Sequence, residues 1–315
     1  MLVALCGGVG AARMLSGLVR AVPPDRITAI VNVGDDMVLH GLHISPDLDT
    51  VAYTLAGMDN RETGWGVAGE SWAVMDELGQ LGGEDWFRLG DRDLATHLFR
   101  TGRLRGGEPL SSVTAELGRR RGIAVRLLPV TDDPLRTRVT LAEQSALGPA
   151  GTEVGFQDYF VRLRHDVSVS GVRFEGAAAA RPSPGVMESL AQADTIVVCP
   201  SNPVVSIGPV LAVPGVREAL TARRERVVAV SPIIAGAALK GPADRLMAEL
   251  GTESSVVGVA RLYAPWAGTL VVDTQDAHRA ADVEREGVRC IVTPTVMSSP
   301  ERATDLARVV VDAVV

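Results

Sequence analysis

The chain has 315 residues and a formal net charge of −7, and 46% of its residues are hydrophobic and 22% are charged. This composition supports a full globular core and excludes a mainly disordered chain. The acidic balance and the 4% aromatic content argue against a nucleic-acid binder with a broad basic surface or base-stacking platforms. A small phosphorylated ligand remains possible, because it needs only a local positive site.

The first elements along the chain follow the order strand, glycine turn, helix, strand. Residues 2–6 form a short apolar run that ends at Gly7-Gly8-Val9-Gly10, and residues 27–33 have the pattern of a second buried strand. Between them, apolar residues recur at helical spacing, at Met14, Leu15, Leu18 and Val22. This order predicts a βαβ unit, and such a unit implies a parallel sheet.

The segment 50–122 differs from its surroundings because helical periodicity runs through almost all of it. It also holds three of the four tryptophans, Trp65, Trp72 and Trp86. We therefore predict a core formed by residues 1–49 and 124–315, with residues 50–123 as a mostly helical insertion or lid. Trp72 is expected in the core of this insertion, whereas Trp65, between two glycines, is expected on a loop.

The rest of the chain returns to alternating strands and helices, which predicts an α/β fold with a mostly parallel sheet flanked by helices. The predicted strands are 124–129, 195–199, 226–231, 268–273 and 288–292, and the predicted helices are 184–191, 214–222, 242–251 and 301–314. Residues 136–141 and 167–174 alternate, which indicates antiparallel strands at one edge of the sheet, with a loop at 145–155 between them.

The cysteines and the N-terminus bear on where the protein acts. Cys6, Cys199 and Cys290 are too few and too scattered for a disulfide framework or a zinc site. The N-terminus lacks a basic segment followed by an apolar one, and the longest apolar stretches fall short of a membrane span. We expect a cytoplasmic protein without a membrane partner.

The glycine turn at residues 7–10 opens the first predicted helix, where backbone N–H groups and the helix dipole favour a phosphate. It is not a dinucleotide fingerprint, because Ala12 or Arg13 stands where a third glycine is required. It is not a Walker A loop either, because Lys240 is the only lysine of the chain. A plain β–α turn is the alternative, but the carboxyl end of a parallel strand favours a ligand.

Acidic residues follow the second predicted strand. Asp35 and Asp36 end it, and Asp47 and Asp49 follow within fifteen residues. Adjacent carboxylates repel unless a cation or a donor lies beside them, and Mg²⁺ prefers oxygen ligands. The alternative is that Asp47 or Asp49 caps the helical run that begins near residue 51. The number of acids near one strand end favours a metal.

Two further segments offer polar side chains. Asp93 and His97 lie four residues apart on a predicted helix and share a face, and Asp91 is a candidate cap for that helix. Ser201 and Asn202 follow a central apolar strand, in a loop held by two prolines, and are candidates for phosphate positioning. Ser231–Gly236 ends the next strand in the same way. The chain has no GxSxG, HExxH or CxxC motif.

Together these segments resemble the 2-phospho-L-lactate transferases that build the deazaflavin coenzyme F420. The matching segments appear in the family's order over most of the chain: 7–10, 32–36, 46–50, 65–66, 89–97, 128–134 (LPVTDDP), 156–162 (FQDYFVR), 200–209 (PSNPVVSIGP), 231–236 and 240–247. The string at 201–208 is specific, whereas the glycine loop alone is weak. Residues 262–290 match least.

The resemblance implies a Rossmann-like nucleotide-binding core and a transfer reaction. The family takes a guanosine diphosphate ester of a three-carbon acid and the deazaflavin precursor Fo (7,8-didemethyl-8-hydroxy-5-deazariboflavin). The ribityl hydroxyl of Fo attacks the phosphorus that carries the acid, GMP leaves, and Mg²⁺ is required. These substrates are small molecules, and a homodimer is expected.

The resemblance also assigns residues. The expected metal ligands are Asp35, Asp36 and Asp49, which are also the expected catalytic residues, with Asp49 as the first choice for the group that accepts the ribityl proton. The residues expected at the nucleotide are Gly8, Val9, Gly10, Arg13, Ser201 and Asn202. Those expected around Fo are Asp49, Trp65, Asp91, Asp93 and His97.

Two departures leave the three-carbon acid open. Archaeal-type members carry Thr where this chain has Val9, and a Glu–Asp pair where it has Asp35-Asp36. Phospholactate, phosphoenolpyruvate and phosphoglycerate donors are all compatible with the resemblance.

Two other functions are considered. One is a sugar-nucleotide-binding regulatory protein of a related superfamily, which residues 91–97 and 201–208 disfavour. The other is an NAD-dependent enzyme, which the missing third glycine disfavours.

Overall fold

The structure is a computed structural model that describes residues 1–62 and 64–314. Its strands are β1 (Leu2–Cys6), β2 (Ile27–Val31), β3 (Met37–Leu39), β4 (Leu42–Ile44), β5 (Arg126–Pro129), β6 (Arg136–Leu141), β7 (Glu153–Gly155), β8 (Val169–Glu175), β9 (Thr195–Val198), β10 (Val227–Val230), β11 (Ile233–Ile234), β12 (Ala237–Ala238), β13 (Thr269–Val272) and β14 (Arg289–Val292). Its α-helices are α1 (Gly8–Ala21), α2 (Pro46–Leu55), α3 (Ala73–Gln80), α4 (Asp91–Arg105), α5 (Leu110–Arg120), α6 (Val186–Gln192), α7 (Gly208–Ala212), α8 (Val216–Ala222), α9 (Ala243–Glu249), α10 (Val256–Tyr263), α11 (Ala280–Arg285) and α12 (Pro300–Asp312).

The predicted α/β fold is confirmed by a central seven-stranded sheet in the order β14-β13-β10-β9-β1-β2-β5, in which all neighbouring strands are parallel. The chain runs outward from β1 through β2 to β5, then returns to the other side of β1 and continues from β9 to β14. This is the Rossmann order extended by one strand, with its topological switch point between β1 and β9.

Burial explains why the sheet forms as it does. Every residue of β1, β2, β9 and β10 is buried, which is the pattern of parallel strands covered by helices on both faces. Helix α1 contributes its buried stripe of Met14, Leu15 and Leu18 to this core. At the C-terminal helix α12, the N-cap residue is Ser299, whose hydroxyl accepts a hydrogen bond from the backbone N–H of Arg302.

The antiparallel strands lie apart from the central sheet, contrary to the prediction that they occupy its edge. β6 pairs with β7 on one side and with β8 on the other in a separate three-stranded sheet. This sheet buries a cluster of its own, which includes Val139, Leu141 and Tyr159. The segment 145–155, predicted as a loop, contains β7, which is only three residues long.

The segment predicted as a mostly helical insertion contains α3, α4, α5 and most of α2, with loops between them. α2 begins at Pro46, and its Leu48 and Val51 join the main core. α3 and α4 instead pack with the β3–β4 hairpin around a separate cluster. Trp72 was predicted in the core of the insertion, but it lies half-buried at the N-cap of α3. The domain division at residues 49 and 124 remains a prediction.

Among the described residues, no single helix has the length and apolar composition needed to cross a membrane. The segments Pro203–Ala212 and Val216–Ala222 satisfy both criteria only as a pair, and that pair is bent by 94°.

Candidate active site

A cavity opens at the switch point of the sheet, where the loops after β1, β9 and β10 meet. The empty space in it, part of which is open solvent, amounts to about 690 Å³. Its walls are formed by Val9, Gly10, Arg13, Pro200, Asn202, Ser231, Pro232, Ile234, Leu239, Lys240, Ala243, Thr295, Val296 and Met297. Open α/β sheets bind ligands at this position, because the loops on the two sides of the switch point separate there.

Four of the six predicted nucleotide-binding residues line this cavity: Val9, Gly10, Arg13 and Asn202. The glycine turn after β1 and the loop after β9 approach each other closely at Gly10. A Cβ atom on Gly10 would lie 2.2 Å from the carbonyl oxygen of Pro200. Glycine is therefore required there by the packing of the loops. The side-chain oxygen of Asn202 accepts hydrogen bonds from the backbone N–H groups of Val204 and Val205 and so holds the next turn.

The other two predicted nucleotide-binding residues, Gly8 and Ser201, do not line the cavity. The buried Ser201 hydroxyl donates a hydrogen bond to the Gly7 carbonyl at 2.8 Å and accepts one from the Gly7 N–H at 3.2 Å. Ser201 thus ties the β9 loop to the glycine turn. The backbone of Gly8 is hydrogen-bonded to the Asp47 carboxylate. These two residues hold the walls of the cavity together.

The acidic residues that follow β2 are buried beside the glycine turn. Asn32 organises them: its amide nitrogen donates to Asp47 at 2.9 Å, and its oxygen accepts from the N–H of Gly34 at 2.7 Å. Burial raises the pKa of Asp36 to about 7 and that of Asp47 to about 6. Burial and the charge of Asp47 raise the pKa of Asp35 well above its usual range.

Asp35 and Asp36 each present an oxygen without a partner. Within residues 1–62 and 64–314, the Oδ1 atoms of both are buried and accept no hydrogen bond. A buried carboxylate oxygen without a donor is unfavourable unless the group is protonated or a cation is bound. Hard oxygen ligands are those that Mg²⁺ takes, so these two residues fit a magnesium ion.

Asp49 lies deeper, in the first turn of α2. Both of its oxygens accept hydrogen bonds from the guanidinium of Arg100, one of them at 3.0 Å, and both side chains are buried. Neither Asp47 nor Asp49 caps α2, because Ser45 is the N-cap residue and both acids lie inside the helix. The alternative of N-capping is therefore wrong: Asp47 bonds to Asn32, and Asp49 bonds to Arg100.

His97 joins Asp49 to Asp93. Its Nδ1 atom lies 3.7 Å from Asp49 Oδ2, and its Nε2 atom lies 3.2 Å from Asp93 Oδ2. Ligand atoms of these three residues lie within 4.8 Å of one another, a geometry in which they could hold a metal ion. Asp93 also accepts a hydrogen bond from the hydroxyl of the buried Tyr53. The assignment of the metal to Asp35, Asp36 and Asp49 stays a prediction.

Asp91, the candidate cap of its own helix, serves the neighbouring helix instead. It is the first residue of α4, and its carboxylate accepts hydrogen bonds from the backbone N–H groups of Ala73 and Val74 at 3.3 and 3.2 Å. It therefore caps α3. The N–H groups at the start of α4 are bonded to Glu70, which the sequence analysis did not single out.

Trp65 lies on a loop, as predicted, and 47% of its surface is exposed. Its ring meets the ring of Trp72 edge to face at 6.2 Å. The preceding Gly64 has a φ of +80°, which favours glycine, and a Cβ atom there would lie 3.3 Å from a methyl carbon of Val9. The Trp65 loop therefore touches the glycine turn.

Sequence reasoning missed two basic residues beside the acids. Arg100 lies one helical turn beyond His97, a spacing that indicates a shared face, but only the structure reveals that it is buried against Asp49. Arg136 begins β6, and its charge is the largest influence that lowers the pKa of Asp36. The charge of Arg100 also lowers the pKa of Asp36, so both arginines offset part of the effect of burial.

The comparisons with known proteins agree on one family. Residues 2–297 match the family described as 2-phospho-L-lactate transferase CofD. A phosphoenolpyruvate transferase of Kitasatospora aureofaciens is 47% identical over 315 residues, which cover 98% of this chain and 95% of that protein. Those of Streptomyces coelicolor and Mycolicibacterium smegmatis are 46% and 41% identical, with 98% of this chain and 96% and 97% of those proteins covered.

A solved structure shows the same fold. The crystal structure of a member of the UPF0052 family from Bacillus halodurans superposes with a TM-score of 0.63 at 17% identity, covering 98% of each chain. At this identity the likeness concerns the fold alone. The family match over nearly the whole chain and the high identity to its relatives lead to one conclusion: the chain belongs to the 2-phospho-L-lactate transferase CofD family.

Proposed function

We propose that this protein transfers a phospho-three-carbon-acid group, 2-phospholactate or phosphoenolpyruvate, from a guanosine diphosphate ester to the ribityl hydroxyl of Fo in coenzyme F420 biosynthesis. The observation that carries the proposal is a cavity at the switch point of the sheet, next to buried carboxylates with unpartnered oxygens. The names of its relatives favour phosphoenolpyruvate as the group transferred.

The reaction is a substitution at phosphorus. The ribityl oxygen forms a bond to the phosphorus that carries the three-carbon acid, the bond from this phosphorus to the oxygen shared with GMP breaks, and GMP leaves with that oxygen. The hydroxyl proton passes to a carboxylate, for which Asp49 is our first choice. Such reactions depend on positioning and charge neutralisation more than on covalent groups of the protein.

The residues have separate roles in this proposal. The backbone N–H groups of Val9 and Gly10 would face the donor phosphates, and Gly8 would hold this turn in place through its backbone hydrogen bond to Asp47. Arg13 and Asn202 would hold the nucleotide from the cavity wall. Asp35, Asp36 and Asp49 hold Mg²⁺. When bound, this ion would supply Lewis-acid stabilisation of the developing charge. Arg100 fixes the carboxylate of Asp49 through two hydrogen bonds, so that its orientation is set before the substrate arrives.

The insertion forms the Fo pocket in this proposal. Trp65 would supply an aromatic wall for the flat deazaflavin ring, and Asp93 and His97 of α4 would supply polar contacts to it. Asp91 lies at the start of the same helix and, by capping α3, fixes the segment next to the Trp65 loop. Closure over the site would exclude water, which competes with the ribityl hydroxyl for the donor.

Both substrates are small molecules in this proposal, and the net charge of −7 disfavours a nucleic-acid partner. We further propose that the protein acts in the cytoplasm as a homodimer. Light scattering coupled to size-exclusion chromatography measures the molar mass in solution and so tests the homodimer.

Product mass tests the activity. The protein is incubated with Fo, Mg²⁺ and, in separate reactions, the guanosine diphosphate esters of phospholactate, phosphoenolpyruvate and phosphoglycerate. The expected result is GMP together with one phosphodiester of Fo, formed fastest with the enolpyruvate donor. Binding of a guanine nucleotide without product from any donor would favour a regulatory protein and contradict the proposal.

Guanosine diphosphate should protect the protein against unfolding, whereas NAD should not. A ligand that binds only the folded state and is present at about one hundred times its Kd adds about 2.7 kcal/mol to the free energy of unfolding. Thermal or chemical denaturation with each ligand measures this gain. Equal protection by NAD, with none by guanosine diphosphate, would replace the transferase assignment with a dinucleotide-binding one.

The substitution Trp65→Ala should raise the KM for Fo or increase wasteful hydrolysis of the donor, while guanosine diphosphate affinity changes little. The reason is that Trp65 presents its ring on the loop of the insertion and not in the nucleotide cavity. Leu81→Ala is the control, because Leu81 is 84% exposed in the same insertion. Weaker nucleotide binding with normal Fo kinetics would refute the role of this loop.

A further inference from the structure

Lys240 is the one lysine among the 31 basic residues of the chain, and it lines the cavity at the switch point. It follows the short β11–β12 hairpin, which extends from the carboxyl end of β10. The same cavity is lined by Val9 and Gly10 of the glycine turn. The lysine thus shares the cavity with the backbone that receives the donor phosphates in our proposal.

The ammonium group of Lys240 lies close to Gly64, on the loop that carries Trp65. A Cβ atom on Gly64 would lie 3.0 Å from Lys240 Nζ and 3.3 Å from a methyl carbon of Val9. The ammonium group is therefore a near neighbour of the glycine turn and of the Trp65 loop at once. This is the junction between the nucleotide cavity and the proposed Fo pocket, where the transferred group has to be.

Among the residues that the structure describes, the charge of Lys240 has no partner. Lys240 forms no ion pair or hydrogen bond with any residue of 1–62 or 64–314, and the guanidinium of Arg13 on the same cavity forms none either. Basic residues elsewhere are commonly paired, as Arg100 is with Asp49 and Arg245 with Glu249. Two unpaired cations on one cavity of an acidic protein indicate an anionic ligand between them.

The presence of lysine rather than arginine at position 240 indicates what kind of contact this side chain makes with an anionic ligand. Arginine presents a planar fork that suits bidentate partners, whereas lysine is a compact point charge on a flexible stem. A chain that uses arginine everywhere else retains lysine at the place where two loops and the glycine turn converge. A compact charge suits a phosphate that changes geometry during transfer, as the lysine of P-loop enzymes shows for distal phosphates.

We propose that Lys240 binds the distal phosphate of the donor diphosphate, the one that carries the three-carbon acid and is transferred. The proposal rests on the function proposed above and adds a residue that contacts the reacting phosphoryl group. Lys240 would provide, from beside the glycine turn, the positive charge that the turn lacks.

The test compares two nucleotides that differ only in this phosphate. Calorimetric titration measures the Kd of GMP and of guanosine diphosphate for the unmodified protein and for Lys240→Met, Lys240→Arg and Arg217→Met. Loss of a charge-assisted hydrogen bond should weaken guanosine diphosphate binding by about ten- to a hundredfold in Lys240→Met and leave GMP binding within about twofold. Lys240→Arg should retain most of the preference, because it keeps the charge.

Arg217→Met is the matched control for loss of a positive charge, because Arg217 lies exposed on α8, outside the cavity. It should bind both nucleotides as the unmodified protein does. If Lys240→Met still prefers guanosine diphosphate, or if Lys240→Arg is as weak as Lys240→Met, the proposal for Lys240 is wrong while the proposed function stands. If the unmodified protein binds neither nucleotide, the proposed function itself fails.

Discussion

Replacing Asp36 by Asn should lower turnover by about a thousandfold or more. Asp36 presents a buried oxygen without a partner, which we assign to Mg²⁺. Asparagine keeps the size of the side chain but removes its charge, and the Lewis-acid contribution of a bound metal amounts to several kcal/mol, or about a factor of ten per 1.4 kcal/mol. Asp35→Asn should have a similar effect. Steady-state rates at saturating Fo and donor measure both.

The fold should survive the Asp36→Asn substitution. Burial raises the pKa of Asp36 from its ordinary 3.8 to about 7, so the folded state disfavours the ionised carboxylate. The stability that this group contributes is complete below about pH 4 and is lost as the pH rises through about 7. At pH 8, with EDTA present to remove metal ions, the asparagine side chain stays neutral and does not lose this stability. The variant should therefore unfold at the same temperature as the unmodified protein or at a higher one.

Two controls distinguish the loss of a metal ligand from the mere loss of a negative charge. Asp305→Asn, at an exposed position of α12, should leave rate and stability unchanged. Addition of Mg²⁺ at pH 8 should raise the unfolding temperature of the unmodified protein but not that of Asp36→Asn. Near-normal turnover of Asp35→Asn and Asp36→Asn at limiting Mg²⁺ would remove these residues from the metal site.

Arg100→Met should both destabilise the protein and abolish its activity. The Arg100 side chain is 2% exposed and that of its partner Asp49 is 7% exposed, so the substitution leaves a buried carboxylate without its cation. Breaking a buried pair in this way costs about 3–5 kcal/mol. Urea denaturation measures the loss. Arg103→Met is the control on the same helix, because its pair with Glu108 is exposed and worth about 1 kcal/mol at most.

A double substitution distinguishes structure from chemistry at this pair. Asp49→Asn combined with Arg100→Met removes both charges, so much of the stability lost in Arg100→Met should return. Activity should remain absent, because the proposed metal ligand and proton acceptor is gone. Recovery of turnover along with stability would show that the pair serves the fold alone.

The positions of the strand ends were predictable from the sequence. Short apolar runs closed by glycine, asparagine or proline indicated β1, β2, β9 and β10, because strands buried on both faces contain few polar residues. Parallel strands bring their carboxyl ends to one edge of the sheet. The convergence of the glycine turn with the loop at Pro200 and Asn202 therefore followed from the order of elements alone.

Short elements were not predictable in the same way. The strands of the β3–β4 and β11–β12 hairpins have three and two residues, which is too few for a periodicity. Helix α10 is buried on almost all sides, so it lacks the polar stripe that marks a surface helix. Asp91 was predicted to cap its own helix, α4, but it caps α3. The N–H groups that it accepts from belong to Ala73 and Val74, which lie 18 and 17 residues earlier in the chain, so no local pattern indicates the contact.

The composition and order of the chain established the α/β class, the switch point and a group of acids near one strand end. The partners of those acids depend on distances across the fold, which no local pattern contains. Arg100 lies 51 residues from Asp49 in the sequence, and Lys240 lines the same cavity as Val9 and Gly10 of the glycine turn. Burial then decides their chemistry, because it changes the free energy of a charge far more than its neighbours in sequence do.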